Sequence, residues 1–226
     1  MEESVPRSRD GSIHVTDERF NTASHLAAAL FAAVGTGLLV AQASVQGDPW
    51  KIVALSVYGL SLITLFTASA LHHGIDRGPR VNEILRTIDY DSVFFLIAGT
   101  ATPLVLVLFR NTYGWTVLGG VWTIAVVGIV LRSVWTRVPK YITNTIYIAL
   151  GWSAVLLAGV ASSVPWPAVA LMAAGGVAYT VGFVIYVVEK PNPRPGFFGF
   201  HELWHVLVVV AALLHYMLIY FYVLPA

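Results

Sequence analysis

The chain of 226 residues contains no cysteine. That excludes a disulfide framework and any thiolate metal site, so a bound metal would rest on His, Asp or Glu. Charge is scarce too: Asp, Glu, Lys and Arg make up 11% of the residues, and the net charge is +1. There is no Gly-rich phosphate loop and no clustered basic patch, so nothing points to nucleic acid. Residues 1–20 are polar, with Glu2, Glu3, Arg7, Arg9, Asp10, Asp17 and Glu18. They lack the apolar core of a secretory signal, and no cleaved leader is expected.

What fills the chain instead is apolar surface. Hydrophobic residues make up 57% and the mean hydropathy is +0.75. Several runs exceed the roughly 18 residues that mark a membrane-crossing helix. The expectation is an all-α polytopic membrane protein, a bundle of seven transmembrane helices in the cell membrane. The spans read as 22–45, 50–73, 89–110, 113–135, 141–163, 166–189 and 200–224. Turn chemistry separates them at Gly47-Asp48-Pro49, Gly74 to Pro79, Pro139, Pro165 to Pro167 and Pro191 to Gly196. Short connections predict one domain over 22–226, preceded by a segment over 1–21. All Lys and Arg except Lys51 and Arg110 fall on one side of this arrangement. The positive-inside rule then places the N-terminus in the cytoplasm and the C-terminus outside. Trp50, Trp115, Trp135 and Trp166 near span ends read as interfacial anchors.

Ionisable side chains inside a membrane segment are costly and call for a partner or a function. Here they gather at one depth. Glu18, Asn21 and His25 begin span 1; Ser69, His72 and His73 end span 2; Asp89 and Asp91 begin span 3; His201, Glu202 and His205 begin span 7. His201 and His205 lie one helical turn apart on one face, close enough to share a metal. Ser69 and His73 have the same spacing. Three imidazoles leave one open position on zinc, and His73, His201 and His205 could supply them, with His72 the alternative on span 2. Asp89 could orient a ligand or accept a hydrogen bond from a water there. Glu18 and Asn21 read as a helix-start capping group, His14 as a solvated tail residue, Asp91 as solvated at the span edge. His215 is about 15 Å deeper than His205 and reads as a hydrogen-bonded interior histidine.

His201-Glu202-Leu203-Trp204-His205 is a literal HExxH, the zinc-protease pattern. A protease of that kind needs a third ligand downstream. After position 205 the sequence holds no Asp, Glu or Cys, and His215 has the wrong spacing. The third ligand must come from upstream, which breaks the protease pattern.

Four motifs in order carry a family resemblance: Glu18-x2-Asn21-x3-His25, Ser69-x3-His73, Asp89 followed by "IAGTATP" at 97–103, and His201-x3-His205. The sequence resembles the hemolysin III / progestin and adipoQ receptor (adiponectin receptor-like) family, as a bacterial-type member, over essentially its whole membrane portion. The resemblance implies seven helices, a cytoplasmic N-terminus and Zn2+ near the cytoplasmic face, held by His73, His201 and His205. It implies positions for Asp89 and Ser69 beside the water that completes the zinc. The doubled His72-His73, and Ala101 in place of an aromatic residue, depart from the family pattern. Two functions follow as expectations. One is a zinc-dependent hydrolase of lipid amide or ester bonds, ceramide-like in type, with membrane lipids as substrate and a role in lipid homeostasis. The other is a non-enzymatic receptor-like, sensor or hemolytic protein with a structural zinc. A transporter ranks below both, since only His215 places an ionisable group near a span centre.

Overall fold

Turn residues decide where each helix starts. In the computed structural model, which describes residues 8–135 and 138–226, Asp17 caps the first helix by accepting from the backbone N–H of Arg19 and Phe20, both at 3.0 Å. The cap is therefore Asp17, and Glu18 and Asn21 are free for other partners. Glu2, Glu3, Arg7 and Arg137, counted above, lie outside the described residues. Helix α1 (Glu18–Gln46) ends at Gly47, whose left-handed φ of 72° suits a residue without Cβ. Asp48 and Pro49 then open α2 (Pro49–Gly74). The remaining helices are α3 (Pro79–Pro103), α4 (Thr112–Val134), α5 (Lys140–Gly151), α6 (Trp166–Val188) and α7 (Phe200–Leu218). Short π-helical turns, Leu104–Leu108 and Ile219–Val223, continue α3 and α7.

Two expectations need correction. Helix α3 begins at Pro79 rather than near 89. The first ten residues are mixed polar and apolar, so an apolar run shows only where the helix becomes hydrophobic. The expected span over 141–163 is divided between α5 and a 3-10 segment, Trp152–Ser163. Both geometries satisfy backbone groups within the segment, and hydropathy does not tell them apart. Among the described residues, six helices are long and apolar enough to cross a membrane.

Helix α1 packs along α2, α2 along α3 and α6 along α7, while α1 also meets α7. Small residues permit the close crossings: Gly59 faces Thr36, and Gly99 faces Ser61. The outer faces are apolar, and Leu30, Phe31, Val34 and Leu38 on one side of α1 are all more than half exposed. Such continuous apolar faces suit lipid rather than water. This is a helical membrane protein whose interior carries the polar groups.

Candidate metal centre

The start of α1, the end of α2 and the start of α7 meet at one end of the bundle, and there the imidazoles gather. His73, His201 and His205 are buried, and one ring nitrogen from each lies within 4.8 Å of the others. The Nε2 of His201 is 3.4 Å from that of His73 and 3.2 Å from that of His205. Zn–N bonds of about 2.0–2.1 Å place neighbouring tetrahedral vertices about 3.3–3.4 Å apart. Two of the three nitrogen pairs therefore already stand at the spacing that one tetrahedral ion requires.

The other ring nitrogen of His73 explains its orientation. Nδ1 is 2.6 Å from Glu18 Oε2. With the proton on Nδ1, donated to this carboxylate, Nε2 turns its lone pair toward the α7 pair, as a carboxylate-oriented metal ligand does. Glu18 is thus His73's partner, which the capping role expected of it did not foresee. The neighbouring His72 turns elsewhere: its Nε2 lies 3.1 Å from Asp10 Oδ1. His25 stacks on His205 at 3.8 Å between ring centroids, and neither of its ring nitrogens has a hydrogen-bond partner among the described residues. Three buried imidazoles with converging Nε2 atoms offer the kind of donors that a cation takes. The donor set fits a metal ion.

Glu202 is not available to the imidazole pair in the way HExxH suggests. Its Oε1 accepts from the backbone N–H of Asp17 at 2.6 Å and from Asn21 Nδ2 at 3.3 Å. Its Oε2 accepts from Gly199 N at 2.7 Å, closing the start of α7. This buried carboxylate ties the beginning of α1 to the beginning of α7. Asn21 is its partner, again in place of a cap.

A cavity of about 400 Å³ opens beside the imidazoles, lined by Ser69, Asp89 and His25 and by apolar walls such as Leu65, Leu96 and Phe183. Asp89 stands ten residues into α3, at the level of the cluster, within electrostatic reach of His73. Asp91 is not solvated: Arg132 Nε donates to it at 3.2 Å. His215 sits at the cavity's far end, its Nε2 3.2 Å from the Met172 carbonyl oxygen, as expected of an interior histidine.

One residue at the centre escaped the sequence reading. Asp10, in the segment before α1, is only 7% exposed. Its Oδ1 accepts from Tyr90 Oη at 2.8 Å, and its Oδ2 is 3.2 Å from His201 Nε2. Burial alone would raise its pKa, but His201, the hydrogen bond with His72 and the nearby His73 outweigh this and hold the carboxyl well below the usual range. Nothing local in a polar tail marks such a residue; only the fold brings it in.

An apolar-surfaced helical bundle with a buried histidine cluster at one end defines a class of helical membrane protein whose interior holds groups that could bind a metal ion. Residues 13–216 match the family described as Haemolysin-III related, and the chain belongs to that family. It is 30% identical to Hemolysin-3 of Bacillus cereus over 212 residues, which is 93% of this chain and 94% of that protein. It is 28% identical to the Hemolysin-3 homolog of Bacillus subtilis (strain 168), over 92% of this chain and 95% of that one. A rice protein named heptahelical transmembrane protein ADIPOR1, of the adiponectin receptor-like kind, is 26% identical over 69% of this chain and 46% of its own length.

Proposed function

We propose that the protein is a zinc-dependent hydrolase that cleaves a lipid amide or ester bond near the cytoplasmic face and serves membrane-lipid homeostasis. One observation carries this reading: three buried imidazoles meet at 3.2 and 3.4 Å at the side of a largely apolar cavity that Asp89 and Ser69 also line. In this reading the helices make seven spans in the plasma membrane, with residues 1–21 and the N-terminus cytoplasmic and 22–226 a single domain. Two features support it. The α5 and 3-10 segments, of 12 residues each, together reach ~40 Å, enough for a bilayer core of ~30 Å. The name of the rice relative describes seven helices.

His73, His201 and His205 would hold the zinc. When bound, the ion supplies a Lewis acid that polarises a carbonyl and lowers the pKa of a water toward about 7. Glu18 keeps His73 in its liganding tautomer. Asp89 takes the proton of the attacking water, and the Ser69 hydroxyl donates to the oxygen on which charge gathers. The apolar walls hold the acyl chain and keep bulk water away from the reacting bond.

Metal analysis of the purified protein tests the first half of the reading. Wild type is expected to carry zinc in stoichiometric amount, and His73→Ala and His205→Ala to lose it; unchanged zinc in both variants would sink the site. Lipid profiles of cells expressing wild type or Asp89→Ala test the second half. A lipid species that changes with wild type and not with Asp89→Ala is the expected result.

The rival reading is a receptor-like, sensor or hemolytic protein with a structural zinc. A structural site is normally closed by four protein ligands, and the Asp10 carboxylate 3.2 Å from His201 Nε2 favours this reading. Zinc-loaded wild type that shifts no lipid species would decide for it.

A further inference from the structure

Ser8 to Asp17 forms no helix or strand, yet Ser8, Asp10, Ser12 and Thr16 are buried. The segment is strapped over the histidine cluster. Arg9 Nη1 donates to the carbonyls of His72 and Ile75, each at 2.7 Å, at the end of α2, where backbone oxygens lack helical partners. Ser12 Oγ donates to Glu189 Oε2 at 2.7 Å, just past α6. Asp17 N donates to Glu202, as described above. Asp10 lies between the first two anchors.

The two oxygens of Asp10 are used differently. Oδ1 is engaged by His72 Nε2 and Tyr90 Oη. Oδ2 is buried and has no hydrogen-bond partner among the described residues, although His201 Nε2 is only 3.2 Å away. Contact distance without hydrogen-bond geometry is how two ligand atoms sit on adjacent vertices of one metal. Zn–O and Zn–N bonds of about 2.0–2.2 Å give an edge of roughly this length. Oδ1, held by two neighbours, steers the carboxylate so that Oδ2 meets the cluster at His201. Asp10 otherwise groups with His72 and His73, and joining His73 and His205 on one ion needs the carboxylate to move further in.

We propose that Asp10 is a fourth, displaceable ligand of the metal, delivered by the N-terminal strap. With the strap docked, three imidazoles and one carboxylate close the site. With it lifted, the imidazoles remain fixed on α2 and α7, and the vacated position accepts water, an anion or a substrate carbonyl. Displaceability follows from the backbone: the histidines are carried by packed helices, whereas Asp10 is held by a few polar anchors in an irregular segment. The inference rests on the metal reading above.

The test uses the full-length protein loaded with Co2+, followed by visible absorption and titration with azide. In wild type, azide competes with an intramolecular carboxylate. Asp10→Ala removes that competitor, so it should bind cobalt with an altered spectrum and take up azide at least about tenfold more tightly. Arg9→Ala, which frees the strap but keeps the carboxylate, should fall between the two. Should Asp10→Ala fail to fold, Asp10→Asn and Arg9→Ala are expected to shift azide binding in the same direction. If Asp10→Ala and wild type give the same spectrum and the same titration, Asp10 is an ion-pair partner only; the inference falls and the metal site stands. If wild type takes up no cobalt, or His205→Ala takes up as much, the metal reading falls and this inference with it.

Discussion

At the scale of single residues, the five letters HELWH divide into two jobs. The histidines point their Nε2 atoms at each other and at His73, whereas the glutamate serves three donors from the starts of α1 and α7. Glu202→Ala strands the N–H groups of Asp17 and Gly199 and the amide of Asn21 in a buried setting. Each unsatisfied group costs about 1–3 kcal/mol, so the variant should unfold at a clearly lower temperature while keeping its metal stoichiometry. Thermal unfolding in detergent beside metal analysis checks this. A variant of undiminished stability that no longer produced the lipid change expected of wild type under the proposed function would return Glu202 to the general-base role of the protease pattern. The sequence allowed the protease pattern to be rejected, because it shows what is missing after position 205. It did not show what Glu202 does, because its partners are backbone groups with no sequence signature.

At the scale of elements, close helix crossings set the depth at which the polar ends meet. Gly99 on α3 faces Ser61 on α2 so closely that a Cβ would overlap both the hydroxyl and the Cβ of the serine. Gly99→Ala should therefore cost about 1–3 kcal/mol through forced separation of the two helices. Ser61→Gly in the same chain should recover most of that loss, since the two side chains exchange one space. Unfolding midpoints of the two single variants and the double variant measure the coupling; additive effects would show that the crossing is not what limits the variant. Helix positions were largely legible, because spans follow apolar length and turns follow Gly, Pro and Asp. The exceptions are physical. A polar first part hides the true start of α3, and an apolar run reads alike as α-helix or 3-10 helix beyond Gly151.

At the scale of the whole molecule, the cluster was legible as a shared depth but not as a set of contacts. Counting residues along seven runs brings His73, His201 and His205 to one level. Only the packed bundle shows that Glu18 turns to His73 and that Asp10 enters from outside the helices. The absence of cysteine makes the proposed orientation directly measurable. Arg77→Cys, on the exposed link between α2 and α3, and Ala226→Cys would each be the sole thiol in the chain. In intact cells a membrane-impermeant maleimide should label Ala226→Cys alone, and both after lysis. Labelling of Arg77→Cys in intact cells would invert the orientation.

The division of the cluster between α1, α2 and α7 also sets a sequence of events during biosynthesis. A ribosome makes His73 and its partner Glu18 early, but the other two imidazoles, and the carboxylate that fastens α1 to α7, follow only from position 201 onward, with His201 itself 128 residues after His73. Until α7 enters the bilayer, His73 has no companions on α7, and the start of α1 lacks its anchor. If the cluster holds the proposed metal, loading is a late step, taken by an inserted chain rather than by a growing one. Uptake of the proposed ion would then mark the completion of assembly.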